Sequence, residues 1–264
     1  MNILICPFCG APLEREGASY YCKGALKRHC FDAAKSGYVS LTRASGTSGD
    51  DREMVRARTA FLDKGYYAPF ADAIAKAASG ADVIIDAGCG EGYYSNRLAE
   101  SAQVLGFDLS KHACDKAAKR AKAAGNGAFF GVSSVFELPI ADASADAVVS
   151  LFAPIAEKEF ARVLKPGGKL IVGAAGRRHL IELKEAVYAE AYENEGRRDL
   201  PEGFALTGEQ TVTFRFDCAG EDLRPLFSMT PYAFKTSVSD AAKLDALTHL
   251  EITAEFDIFV YTKR

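Results

Sequence analysis

The chain has 264 residues, seven cysteines, no tryptophan, 48% hydrophobic residues and a formal net charge of -3 at pH 7. That length holds one large α/β domain with a small extra module, and no apolar run approaches the roughly twenty residues of a membrane helix. The N-terminus lacks the pattern of a secretory signal, and an odd cysteine count in so long a chain suits reduced thiols and a cytoplasmic setting.

Four cysteines fall in the first thirty residues: Cys6, Cys9, Cys22 and Cys30, with His29 beside the last. Cys6-Pro7-Phe8-Cys9-Gly10 is a C-x-x-C-G knuckle whose tight turn aims two thiolates at one point. Cys22 follows at a hairpin-like distance, and either His29 or Cys30 can complete the four N/S ligands of a closed structural zinc site. A segment this short buries too little core to fold alone, so metal would supply its folding energy. A thioredoxin-like role would need the C-x-x-C to follow a strand of a βαβ unit, and none begins here. Residues 1–45 carry six Lys/Arg and three Asp/Glu, a balance of +3, against -6 for the remainder. A basic module on an acidic body suits contact with a polyanion.

A polar linker at 46–52 separates this module (1–45) from a main domain spanning 53–264. Val83-Ile84-Ile85-Asp86 reads as a buried strand entering Ala87-Gly88-Cys89-Gly90-Glu91-Gly92-Tyr93-Tyr94, with three glycines at alternate positions and a helix after them. Glycine lets the backbone turn sharply and approach a ligand closely. Val104-Leu105-Gly106-Phe107 gives a second strand ending in Asp108, whose carboxylate suits a ribose diol. A dinucleotide fingerprint would place its third glycine one residue later, at Tyr93. Asp86 would also repel a pyrophosphate, whereas it suits the cationic sulfonium or ammonium of S-adenosylmethionine. A helix at 112–124, a third strand ending near Ser133 and Ser134 beside the adenine edge, a strand at 146–153, a Lys165-Pro166-Gly167-Gly168 turn and a strand at 169–173 extend the α/β pattern. Cys89, Cys114 and Cys218 read as small packing residues.

The D-x-G-C-G-E-G run with Asp108 resembles the class I methyltransferase signature, which implies a Rossmann-like α/β fold with a seven-stranded, mostly parallel sheet. Further motifs narrow the resemblance. After the cysteine knuckle come Phe31-Asp32-Ala33-Ala34-Lys35-Ser36-Gly37-Tyr38, Phe61-Leu62-Asp63-Lys64-Gly65-Tyr66-Tyr67, Leu151-Phe152-Ala153-Pro154, Arg178-His179-Leu180-Ile181-Glu182-Leu183-Lys184 and Met229-Thr230-Pro231. With these the chain resembles, over almost its whole length, the RlmA family of bacterial 23S rRNA (guanine-N1)-methyltransferases.

That resemblance implies zinc on Cys6, Cys9, Cys22 and His29, although the Cys22–His29 spacing exceeds the family's usual one and leaves Cys30 as a rival. For S-adenosylmethionine it implies Tyr67, the loop residues Gly88, Gly90, Glu91, Gly92 and Tyr93, and His179; Asp86, Asp108 and Ser134 join them on physical grounds. Guanine N1 must lose a proton, and Glu157 and His179 are candidate bases. The target guanine should be unpaired or flipped out, since a duplex buries N1. RNA contact is expected from Lys23, Lys27, Arg28, Lys35 and Arg43, with Arg177 and Arg178 at the active-site rim. The family also implies a homodimer, and one of its two neighbouring specificities is linked to macrolide resistance. Two rival readings are a small-molecule methyltransferase and a zinc-dependent RNA-binding protein with an idle methyltransferase fold.

Overall fold

The computed structural model describes residues 3–24, 27–42, 49–196 and 200–264. Its N-terminal part is a three-stranded antiparallel sheet of β1 (Leu13–Glu16), β2 (Ser19–Cys22) and β3 (Cys30–Asp32). A two-residue strand, β4 (Val39–Ser40), follows. The helices α1 (Arg52–Leu62) and α2 (Ala68–Ala77) lead into β5 (Val83–Ala87), α3 (Tyr93–Leu98), β6 (Gln103–Asp108), α4 (Lys111–Ala124) and β7 (Phe129–Val132). Then come β8 (Ala145–Leu151), α5 (Glu157–Val163), β9 (Leu164–Ala175), α6 (Ile181–Val187), β10 (Phe204–Ala219), α7 (Gly220–Ser228), α8 (Val238–Ala241) and β11 (His249–Lys263).

Strands β4 to β11 form one sheet in the order β10-β11-β9-β8-β5-β6-β7-β4. Its centre is parallel, and β11 runs antiparallel to both β9 and β10. The reversal of strand order beside β5 opens a crevice at the carboxyl ends, where open α/β sheets bind ligands. All five residues of β5 are buried, as a parallel strand covered by helices on both faces requires. Ile84 packs with Phe70 and Ile74 of α2, whereas Ile85 packs on the other face with Phe107 and Phe160.

The sheet has eight strands, not the seven expected from the sequence. The additional strand is β4, the tail of the cysteine-bearing segment, which pairs in parallel with β7 through Val39 and Ser40. Without it β7 would present unpaired N–H and C=O groups at the sheet edge. Ile3, Leu13, Phe31, Val39 and Leu41 share one core cluster with Ile85 and Phe107, so the small sheet packs onto the large one. The bonds Ile5 N to Pro139 O (2.9 Å) and Ala141 N to Ile3 O (2.8 Å) fasten the two.

The Lys165-Pro166-Gly167-Gly168 segment is part of β9 rather than a separate turn: the β8 register jumps from Ala145–Leu164 to Ala147–Lys169 around it. Gly167 takes φ +74° there. Among the described residues no helix is long and apolar enough to cross a membrane.

Candidate functional site

The loop after β5 is held by the second strand. Gly88 N and Cys89 N both donate to Phe107 O at 2.8 and 3.0 Å. Asp108, closing β6, accepts from Gly90 N at 3.1 Å and from Ser110 N at 2.7 Å. These bonds set the loop around a cavity of about 410 Å³ lined by Tyr67, Asp86, Gly88, Gly90, Glu91, Asp108 and Ser134. Ser133 is buried instead, donating to Glu137 O at 2.9 Å. Gly92 and Tyr93 do not line the cavity. A Cβ on Gly92 would meet Ala117 Cβ at 2.7 Å, so that glycine serves helix packing, and the Arg120 guanidinium lies 5.8 Å from the centre of the Tyr93 ring.

Asp86 accepts a 2.5 Å bond from Ser95 Oγ, yet its complete burial pushes its pKa up to about 7. The folded state therefore binds a proton between pH 4 and 7 that the unfolded chain releases. Stability from this group is full below about pH 4 and is lost as pH rises through 7. Urea midpoints of the cofactor-free protein are expected to fall over that window, and Asp86→Asn should flatten the dependence. An unchanged slope in the variant would refute the assignment.

The sequence reading missed Arg58. Its Nε donates to Glu91 Oε2 at 2.6 Å and its Nη1 pairs with Asp50 at 2.5 Å. Burial opposes its charge, but Glu91 and Asp50 outweigh that and hold the guanidinium protonated. The Glu91 carboxylate is thus committed to Arg58. Asp50, whose carbonyl accepts from Ser110 Oγ at 2.6 Å, places the linker in the wall of the cavity.

A second cavity of about 420 Å³ adjoins the first and shares Tyr67, Phe152 and Met229 with it. His179 lines this second cavity, not the first. Its Nδ1 accepts from Glu255 N at 3.3 Å, which leaves the ring proton on Nε2, 3.5 Å from Tyr67 Oη. Burial, aided by Lys184, lowers its pKa to about 3, so it is neutral at pH 7 and a poor base. Glu157 lines neither cavity; it starts α5 and accepts from Glu202 N at 3.2 Å. Lys184, also missed, is fully buried and donates to Tyr192 O at 2.9 Å and Asn194 Oδ1 at 2.7 Å. Asn194 in turn donates to the carbonyls of Gly176 and His179, fixing the turn that carries the histidine.

At the other end, the ligand atoms of Cys6, Cys9, Cys22 and His29 lie within 4.8 Å of one another. The Cys9 and Cys22 sulfurs are 3.7 Å apart, and His29 Nδ1 is 3.5 and 3.3 Å from the Cys6 and Cys22 sulfurs. A zinc tetrahedron with Zn–S of about 2.3 Å puts two sulfurs roughly 3.8 Å apart, so this donor set fits the ion. Cys30 Sγ is exposed and faces Asp32 Oδ1 at 3.6 Å, outside the group. Burial raises the Cys6 thiol to about 11, whereas the His29 amide lowers Cys22 to about 6. A divalent cation draws all such thiols to thiolate.

The basic residues divide in the same way. Lys23 pairs with Glu14, Arg28 with Glu16, and Arg177 with Glu193. Arg178 contributes a backbone N–H to Glu255. Lys27 and Lys35 form no ion pair with the described residues, and Arg43 lies outside them.

Sheet order, glycine loop and the carboxylate ending β6 together define a class I methyltransferase that uses S-adenosylmethionine. A methyltransferase domain model matches residues 84–168, and a model described as "RlmA, N-terminal", a zinc ribbon, matches residues 4–43. A 23S rRNA (guanine(748)-N(1))-methyltransferase of Streptomyces fradiae is 36% identical over 71% of this chain and 68% of its own length. A putative 23S rRNA (guanine-N(1)-)-methyltransferase of Micromonospora griseorubida is 32% identical over 92% of this chain and 90% of its own. The chain belongs to this RlmA family of 23S rRNA (guanine-N1)-methyltransferases, and its cofactors are S-adenosylmethionine and zinc. Among solved structures, PH0226 of Pyrococcus horikoshii shares the fold at 17% identity, with a TM-score of 0.50 over 82% of this chain and all of that one. YcgJ of Bacillus subtilis does so at 13% identity, with a TM-score of 0.50 over 74% and 97%.

Proposed function

We propose that this enzyme methylates N1 of a guanine in a hairpin loop of 23S rRNA, with residues 1–45 reading the RNA and 53–264 carrying out the transfer. One observation carries the reading: a four-ligand cysteine–histidine cluster on the small sheet is tied, through β4, to the large sheet that bears the cofactor cavity, in a chain whose relatives are named for that activity. The setting is the cytoplasm, and the RlmA resemblance adds a homodimer, which light scattering tests.

In this reading Cys6, Cys9, Cys22 and His29 hold zinc. The loop backbone at Gly88 and Gly90 and the carboxylates of Asp86 and Asp108 hold S-adenosylmethionine, with Ser134 at the adenine and Tyr67 at the wall toward the second cavity. The cofactor supplies a methyl group on a cationic sulfonium. The side chains themselves orient the reactants and exclude water, which can contribute several kcal/mol to lowering the barrier. Neutral His179 and distant Glu157 leave the N1 proton to depart to solvent.

Mass mapping of 23S rRNA after incubation with enzyme and cofactor locates the methyl group. Its absence from every guanine N1 would overturn the reading in favour of a small-molecule acceptor. Lys27 and Lys35, in no ion pair among the described residues, offer charge for phosphates. Replacing both by alanine is expected to lower the slope of log K against log salt by about 1–2 while leaving cofactor affinity unchanged. Equal loss of both affinities would make the ribbon structural support rather than a reader.

A further inference from the structure

We infer that the second cavity seats the target base itself, a flipped-out neutral purine whose N1 meets the methyl group at the wall formed by Tyr67, Phe152 and Met229. This rests on the reading of the protein as a guanine-N1 methyltransferase and assigns the acceptor's place within it. Those three residues line both chambers, so the chambers meet there and methyl donor and acceptor can face each other across that wall.

The lining suits a base better than a charged metabolite. Among the described residues it has no carboxylate and no cationic side chain, and neutral His179 is its one titratable nitrogen group. Tyr67, Phe152, Tyr232 and Phe256 offer aromatic faces, the surface on which unstacked bases rest. At about 420 Å³ the cavity falls within the size range of small-ligand sites.

Phe152 marks the entrance. It stands at φ +56°, a left-handed conformation that a bulky residue adopts only where the surroundings impose it. Its N–H is fixed on Gly173 O at 3.0 Å, and its ring is 51% exposed while lying 5.7 and 5.8 Å from Phe70 and Phe256. An aromatic ring so held, half in solvent at a chamber mouth, offers a stacking face to a base that leaves its helix.

The hydrogen-bond order gives the chamber a donor. The Glu255 amide occupies His179 Nδ1, His179 Nε2–H is directed at Tyr67 Oη, and the Tyr67 O–H is left for a ligand. In the transfer the N1–CH3 bond forms and the S–CH3 bond breaks with its electron pair going to sulfur. The N1 proton leaves to water, and the charge that builds on purine O6 is met by the tyrosine hydroxyl.

Ala175→Leu tests this, because Ala175 lines the second chamber only. The variant is expected to bind S-adenosylhomocysteine within twofold of wild type by calorimetry. It should lose at least tenfold in affinity for guanosine 5′-monophosphate, measured on protein saturated with S-adenosylhomocysteine, and at least a hundredfold in methylation of protein-free 23S rRNA. Phe152→Ala, at a half-exposed site, should lose about tenfold in both and decides the matter if Ala175→Leu fails to fold. Where nucleotide binding is too weak to measure, the methylation rates decide. Unchanged nucleotide binding and methylation in both variants, or cofactor affinity falling in step with them, overturns the assignment. Wild-type protein that leaves 23S rRNA unmethylated, yet binds the nucleotide in a Phe152-dependent way, would refute the rRNA reading and leave the base pocket standing.

Discussion

Replacing Cys22 by serine is expected to release zinc and abolish 23S rRNA methylation while the protein still binds S-adenosylmethionine. Cys22 ends β2 and its sulfur lies within bonding range of Cys9, His29 and the His29 amide, so it stands at the centre of the ligand group. A serine hydroxyl is a poor zinc ligand, and metal binding in ribbons of this size supplies about 10–16 kcal/mol of apparent folding free energy. Without it β1, β2 and β3 have little core of their own. The damage should stop near the module boundary, because among the described residues the cofactor cavity draws its lining from the linker residues Gly49 and Asp50 and from the main domain, and none from residues 3–42. It should not be silent there, since Leu13 and Phe31 pack into the cluster that covers Ile85 and Phe107. The expected result is loss of the single zinc per chain by mass spectrometry, methylation reduced more than a hundredfold, a melting temperature several degrees lower and cofactor Kd within about threefold of wild type. Cys30→Ser is the contrast: its sulfur faces Asp32, so zinc content and activity should stay as they are. Zinc retained in Cys22→Ser, or lost in Cys30→Ser, would refute the ligand set.

What could be read in the sequence was local. The glycine loop, Asp108 and Ser134, which line one cavity, announce themselves because strand end and turn lie within a few residues of one another. His29 and Cys30 are adjacent, and only the fold of β3 turns one sulfur away. Arg58 was invisible because its partner Glu91 is 33 residues distant and no spacing rule links α1 to the loop after β5. The alternate glycines hid a division of labour: Gly92 is small because of Ala117 in α4, which a reading confined to the loop assigns to the ligand. The β4 strand has only two residues, too few for any periodicity, and exists because β7 needs an edge partner. The long antiparallel pair β10–β11 did leave a trace in the alternation Val212, Phe214, Phe216. Lys184 shows the reverse: a lysine in a polar-looking motif is completely buried, because the Tyr192 carbonyl and Asn194, eight and ten residues on, receive its ammonium.

Gly88→Ala should weaken both cofactor binding and stability. Gly88 has φ +84°, and a Cβ there would stand 2.7 Å from the Cβ of Ala153. The left-handed conformation costs an alanine about 1–2 kcal/mol, and forcing a methyl into packed space costs about 1–3 kcal/mol more. Neither neighbour yields easily. Gly88 N is bonded to Phe107 O, and Ala153 follows Phe152, itself fixed on Gly173 O. Relief must therefore move the loop that lines the first cavity or the segment that divides the two cavities. A total of about 2–5 kcal/mol corresponds to roughly 30- to 4,000-fold in Kd if it falls on binding. Part of it will appear instead as lower stability of the free protein, since the clash precedes the ligand. Calorimetry for the cofactor and urea denaturation for the fold together measure the whole. Gly65→Ala separates the two causes, because Gly65 has φ +81° but open space where the methyl would go, leaving the backbone share alone. Adding Ala153→Gly to Gly88→Ala should return the packing share and not the backbone share, a coupling of about 1–3 kcal/mol in the double-mutant cycle. Cofactor affinity and stability both unchanged in Gly88→Ala would mean that the loop approaches its ligand along another path than the one through Gly88 and Ala153.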